Sequence, residues 1–197
     1  MFEFYERMVL EIGRCVDYTG RTIVLGEGNA NSPKLAFIGE APGATEERQG
    51  RPFVGTAGKN LDQTLEALGC ERAEIFITNL VKVRPVRQNI KTGRLSNRPP
   101  TRDEVSLFTP FLLEELALVR PMCVVTLGNF ALGALTGGKG ATIGNMHGRL
   151  ATTAGEPGVV FDLFPLYHPA AAIYNRKLRE VMERDVLKLK TVMEGYV

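Results

Sequence analysis

Three short segments of the chain carry groups that could do chemistry together without a metal. Gly39-Glu40-Ala41-Pro42-Gly43 holds an acid, Thr78-Asn79-Leu80-Val81-Lys82 an amide, and Tyr167-His168-Pro169 an imidazole. Converging at one place, these would make an acid–base site with a hydrogen-bonding amide beside it. Each piece also has a structural use: Gly39 and Gly43 can shape a turn, Asn79 can cap one, and a lone histidine can serve as a fixed hydrogen-bond partner. Their combined placement is what favours chemistry. Phosphate-binding loops fit poorly, because Gly55-Thr56-Ala57-Gly58-Lys59-Asn60 lacks the full P-loop spacing and no GxGxxG follows a strand. Nucleoside triphosphate hydrolysis is thereby demoted.

The elements that must position these groups are legible in the apolar pattern. Leu35-Ile38, Ile75-Thr78, Cys123-Leu127 and Asp162-Leu166 are short apolar, partly β-branched runs that read as buried strands. Between them lie helical patterns: Leu61, Leu65 and Leu68 closing at Gly69; Val105, Phe108, Leu112 and Leu116; and 129–135. A last helix carries Leu178, Val181, Met182 and Val186, and Phe4, Tyr5, Met8, Val9 and Ile12 predict an amphipathic helix over 2–13. Thr101-Arg102-Asp103-Glu104 has the spacing of a capping box. Alternation of strand and helix predicts an α/β fold, a three-layer α/β/α sandwich around a four-stranded, largely parallel sheet. In such sheets ligands sit beyond the carboxyl ends of the strands, where the three segments fall.

The 197 residues, 44% hydrophobic with a net charge of +2, exclude disorder, collagen and coiled coil and predict one domain over 1–197. The charge is uneven. Arg84, Arg87, Lys91, Arg94, Arg98 and Arg102 fall in one stretch without an acid, which suits a phosphate backbone; the alternative is a solvated surface loop. Cys15, Cys70 and Cys123, with His147 and His168, supply neither a zinc finger nor a four-thiolate cluster. Scattered odd cysteines predict a reducing, cytoplasmic compartment, and the absence of a basic n-region or a long apolar window predicts neither export nor a membrane span.

Gly39-Glu40-Ala41-Pro42-Gly43, Gly50-Arg51-Pro52-Phe53-Val54-Gly55 with Ala57-Gly58, Thr78-Asn79-Leu80-Val81-Lys82 followed by Arg84-Pro85, and His168-Pro169-Ala170 resemble, in order, the uracil-DNA glycosylase superfamily, specifically its family 4 type. The resemblance implies a monofunctional DNA repair enzyme that flips uracil out of single- or double-stranded DNA and hydrolyses its N-glycosidic bond, leaving an abasic site. It implies that Phe53 stacks on the flipped base and that Asn79 donates to uracil O4 while accepting from N3–H. Glu46 would lie near the C5 edge, against thymine's methyl; the alternative is a solvated loop acid. Glu40 would position the attacking water and offset charge on the sugar, while His168, helped by backbone N–H groups around Glu40 and Ala41, would stabilise charge at uracil O2. Pro169, Ala170 and Ala171, leading on to Ala172 and Ile173, resemble a loop that enters the minor groove. Arg84, Arg87, Lys91, Arg94, Arg98 and Arg176 are the expected phosphate contacts.

The match departs from the family at two places. Family 4 enzymes typically carry a four-iron four-sulfur cluster on four cysteines, but only Cys15 stands at a ligand position; Ile12, Val83 and Phe108 occupy the others. No cofactor is expected, and apolar packing is expected in the cluster's place. The basic loop after Arg84-Pro85 is also longer than usual; some superfamily relatives insert here a loop whose histidine joins the DNA sugar covalently, and this one has no histidine, so turnover is expected. A monomer is expected, because base flipping needs one site per molecule. No lysine is placed as a Schiff-base nucleophile, so no lyase step is expected. The alternatives are another deaminated-base preference, such as hypoxanthine or xanthine, or a catalytically weak module that binds damaged DNA.

Overall fold

The computed structural model describes the chain apart from residues 16, 17, 19, 139, 156–158, 172–174, 176 and 197. In chain order its elements are α1 (Phe2–Gly13), β1 (Glu27–Gly28), β2 (Leu35–Gly39), α2 (Ala44–Gln49), α3 (Thr56–Leu68), β3 (Phe76–Asn79), β4 (Val86–Gln88), β5 (Leu95–Asn97), α4 (Arg102–Val119), β6 (Cys123–Leu127), α5 (Asn129–Thr136), α6 (Ile143–Met146), β7 (Ala151–Gly155), β8 (Val159–Leu166) and α7 (Leu178–Glu194). α1 buries Phe4, Met8 and Ile12, one residue per turn on one face. α3 does the same with Leu61, Leu65 and Leu68 and stops at Gly69, which takes the left-handed conformation that favours glycine at a helix end. At the start of α4 the expected box forms: Thr101 accepts from the Glu104 backbone and Glu104 reaches back to the Thr101 backbone.

The central sheet has the order β1-β3-β2-β6-β8-β7. β3, β2, β6 and β8 are mutually parallel, while β1 and β7 run antiparallel along the edges. The expected four-stranded sheet is therefore corrected to six strands, the four foreseen ones being its parallel interior. The edges escaped the pattern for physical reasons. β1 is two residues long, and β7 is Ala-Thr-Thr-Ala-Gly, small and polar where a strand facing a core would be large and apolar. A separate antiparallel hairpin pairs β4 with β5.

Alternation along the buried strands divides the apolar residues between two cores. Ala36, Ile38 and Val124 pack with α1, α4 and α5 on one face. Leu35, Phe37, Cys123 and Val125 pack with α3 and α7 on the other. The first core also encloses a charge. Lys82 is fully buried and donates to Glu115 at 2.6 Å and to the Thr78 hydroxyl, while Tyr5 donates to the other Glu115 oxygen at 2.7 Å. Burial lowers the Lys82 pKa and raises that of Tyr5. This buried network ties α1, α4, β3 and the segment after it together. No helix among the described residues is long and apolar enough to cross a membrane.

Candidate active site

The parallel strands end side by side, so the loops that leave them share one rim. Gly39 stands opposite Asn79 in register, and Leu127 opposite Leu166. Beyond the sheet, the Leu80 N–H donates to Gly39 O at 2.9 Å and the Val81 N–H to Glu40 O at 3.0 Å, holding the first two loops together. Against this rim lies a cavity of about 370 Å³, lined by Ala41, Glu46, Phe53, Asn79 and His168 together with Thr45, Thr56, Asn97 and small neighbours. That size is ordinary for a small-molecule site.

Asn79 is 2% exposed, yet its carboxamide makes no hydrogen bond among the described residues. A buried amide without partners is costly in a finished core and natural in a site that awaits a ligand. Gly39 makes room for it: a Cβ there would collide with Asn79 Oδ1 and with the Phe53 ring. Phe53 is buried against the second core on one side and lines the cavity on the other. Its φ of 52° lies in the left-handed region, a strain of about 1–3 kcal/mol that surrounding contacts must hold. Arg72 does so by donating to Phe53 O, and Gly58 leaves that oxygen space that any Cβ would take.

Glu46 is buried rather than solvated. Oε1 accepts from the backbone N–H of Val54 (3.0 Å) and Gly55 (2.6 Å), and Oε2 from that of Gly43 (3.2 Å). One carboxylate thus fixes both walls of the cavity. The Ala41 N–H points to no acceptor among the described residues and remains available at the lining. His168 accepts from the Ala170 N–H at Nδ1 (3.2 Å), which assigns its ring proton to Nε2, and burial pushes its pKa down. The ring is therefore a neutral donor, 6.2 Å between centroids from Phe53. Glu40 follows Gly39 and is half-buried beside Ala41, outside the lining itself. Its carboxyl has no hydrogen-bond or ion-pair partner among the described residues, and burial raises its pKa.

The basic stretch is an ordered hairpin rather than a loop, and its arginines differ. Arg84 pairs with Glu47 at 3.0 Å and donates to Asn97 Oδ1 at 2.7 Å; Arg98 forks onto Glu104 at 2.6 and 2.8 Å. Both are spent on the fold. Arg87, Lys91 and Arg94 are exposed and form no ion pair among the described residues. Pro169 is buried with its carbonyl accepting from Asn60 Nδ2 at 3.0 Å, and Ala170 and Ala171 are half-buried beside it. Ala172, Ile173 and Arg176 lie outside the described residues.

Among the described residues no group of three His, Cys, Asp or Glu side chains is placed to hold a metal ion. The place of the family cluster does not fit one either. Ile12, Val83 and Phe108 are completely buried in the first core, with the Tyr18 ring 5.9 Å from that of Phe108, and Cys15 is the one thiol nearby.

Comparison with known proteins decides the family. The family model for the uracil DNA glycosylase superfamily matches residues 25–190, which contain every residue of the cavity. The chain belongs to the uracil-DNA glycosylase superfamily. It is 40% identical over 179 residues to a type-4 uracil-DNA glycosylase of Saccharolobus solfataricus, covering 89% of this chain and 78% of that one. It is 32% identical over 197 residues to a type-4 uracil-DNA glycosylase of Thermotoga maritima, covering 98% and 95%. A crystal structure of SMUG2 from Pedobacter heparinus shares the fold, with a TM-score of 0.55 at 10% identity over 84% of this chain and 76% of that one.

Within this uracil-DNA glycosylase fold, the residue that sequence reasoning missed is Asn97. Its Oδ1 is taken by Arg84, while the residue itself lines the cavity. Only the pairing of Val86 with Asn97 brings it there, and nothing in the local sequence announces that register.

Proposed function

We propose that the chain removes uracil from DNA, in single or double strands, by hydrolysis of the bond between C1′ and N1. The observation that carries this reading is the partnerless, buried Asn79 carboxamide facing Phe53 and a neutral His168 in one cavity of a superfamily member. A flipped uracil stacks on Phe53. Asn79 donates to O4 and accepts from N3–H; cytosine presents the opposite pattern and leaves buried polar groups mismatched. Glu46, locked by three amides, forms a fixed wall, and a rigid wall is what rejects a methyl group.

As the bond breaks, the sugar gains positive and the base negative charge. Glu40, as the carboxylate, orients a water towards C1′ and offsets the sugar charge; His168 Nε2–H and the Ala41 N–H donate to O2, where the leaving electron pair gathers. The water's oxygen joins C1′, one of its protons passes to solvent, and uracil departs. No step draws on a metal or a cluster, since Ile12, Val83 and Phe108 give a cluster no ligands. The site lies within one chain, so one copy of the single domain suffices, and the three free thiols suit a reducing cytoplasm.

The test is incubation in EDTA with labelled oligonucleotides containing one uracil, followed by alkali and a sizing gel, with Asn79→Ala and Glu40→Gln alongside. Alkali-dependent cleavage by the wild type, lost in both variants, is expected. No cleavage by the wild type, or full activity in Asn79→Ala, overturns the reading.

A further inference from the structure

We propose that the β4–β5 hairpin is a second DNA-opening arm, whose tip residue Ile90 enters the base stack beside the flipped nucleotide while Arg87 and Lys91 hold adjoining phosphates. The inference rests on the glycosylase reading above and adds to it a contact made from the hairpin whose Asn97 shares the cavity lining with His168.

The hairpin is built to hold a shape. Its strands pair Val86 with Asn97, Arg87 with Ser96 and Gln88 with Leu95. At the tip the Asn89 N–H donates to Arg94 O (2.9 Å) and the Gly93 N–H to Asn89 O (2.8 Å), while Asn89 Oδ1 accepts from the Lys91 and Thr92 amides. Asn89 and Gly93, the latter at φ 67°, make the turn. Ile90 lies within the turn but makes none of these hydrogen bonds. Ile90 nevertheless carries an apolar side chain that is 100% exposed.

An isolated exposed isoleucine needs no explanation; its setting does. Ile90, Arg87 and Lys91 line one shallow concavity together with Asn89 and Ser96. Apolar surface and unpaired positive charge therefore meet at one spot. The arginines at the root are treated differently, since Arg84 and Arg98 are neutralised by Glu47 and Glu104 and anchor the hairpin to α2 and α4. The partner that presents regularly spaced anions around stacked apolar rings is DNA. Reach agrees. Asn97 at the root lines the cavity, and at about 3.3 Å per residue the tip stands roughly 10–15 Å from it. With about 3.4 Å of rise per nucleotide along one strand, this arm covers roughly three or four positions beside the flipped base.

The experiment compares wild type, Ile90→Ala and the double variant Arg87→Gln/Lys91→Gln. Excision is measured on the same uracil sequence in single and double strands. Opening is read separately from the fluorescence of 2-aminopurine placed next to an uncleavable 2′-fluoro-deoxyuridine. Ile90 is fully exposed, so unchanged thermal unfolding is expected in its variant. Ile90→Ala is expected to lower the ratio of duplex to single-strand excision by about fivefold or more, because unstacking a step is the cost the wedge offsets, and to lose the fluorescence rise. The double variant is expected to flatten the dependence of log affinity on log salt by about 1.8, two phosphate contacts at about 0.9 each. A duplex-to-single-strand ratio and fluorescence equal to wild type in Ile90→Ala, or an unaltered salt slope in the double variant, overturns the proposal. If the wild type excises uracil from neither substrate, the glycosylase reading fails, and fluorescence and salt slope still decide for or against the arm.

Discussion

A single amide decides which base this pocket accepts. Among the described residues both halves of the Asn79 carboxamide are unused, so its removal deletes two bonds to the ligand and none to these residues. At about 1–1.5 kcal/mol for each buried bond, Asn79→Ala is expected to lower kcat/KM on uracil by about a hundredfold with little change in thermal unfolding; a parallel loss of stability would mean that the amide is structural. Glu40 predicts a trade of another kind. Burial raises its folded pKa above the unfolded one, so between those values the native state binds the extra proton and stability falls as pH rises. Glu40→Gln is therefore expected to melt higher than wild type at pH 7, to lose that advantage in acid where the carboxyl is protonated in both states, and to be inactive throughout. Melting curves at the two pH values check it. His168 works in the opposite sense: its lowered pKa keeps it neutral, and its burial costs stability only as pH falls below the ordinary histidine value. The chemistry needs Glu40 ionised and His168 neutral, so the excision rate is expected to fall on the acid side, as Glu40 takes up its proton. Residue types and order were enough to bring Glu40, Asn79 and His168 to one rim, because they stand at the ends of well-patterned strands; Phe53, between α2 and α3, was singled out by the family resemblance alone. The use of Glu46 as a three-amide anchor was not legible, since it depends on where 54 and 55 fold back.

At the scale of elements, the site depends on how closely β2 and β3 approach at their carboxyl ends. Gly39 and Asn79 are register partners, and the space a side chain at 39 would fill is already taken by Asn79 Oδ1 and the Phe53 ring. Gly39→Ala is expected to push the amide and ring out of line, reducing excision by about a hundredfold or more for a misplacement on the ångström scale, while the strand, which needs no positive φ at 39, still forms. Excision kinetics and circular dichroism on the same sample separate these effects. The parallel interior of the sheet was readable because each strand is buried on both faces and so writes a continuous apolar run. The β4–β5 hairpin was not. Val86-Arg87-Gln88 and Leu95-Ser96-Asn97 are short, mostly polar and two-sided, and their pairing is set by the Asn89 turn and by the root bonds of Arg84 and Arg98 rather than by a buried face.

Across the whole molecule, the packing of Ile12, Val83 and Phe108 in the first core joins three separate elements. Ile12 comes from α1, Val83 from the segment that leads to the hairpin, and Phe108 from α4 one turn beyond Glu104, so the three join the elements that root the arm. Two expectations follow from hydrophobes standing there. The purified protein should contain no stoichiometric iron or acid-labile sulfide and should keep full activity after prolonged chelation; stoichiometric iron would sink the proposed packing. Truncation should be costly because the site is fully buried and cannot drain its cavity to solvent: Phe108→Ala is expected to cost about 3–5 kcal/mol, a fall in Tm of about 10 °C for a chain of this length. The loss should also be uneven. Hydrogen exchange is expected to quicken most over 83–98, where Val83 hands the core's rigidity to the hairpin, and least in β2, β3 and β6, which the second core supports from the other face. Uniform quickening across the sheet would mean that this packing stabilises the molecule as a whole and plays no special part in holding the arm over DNA.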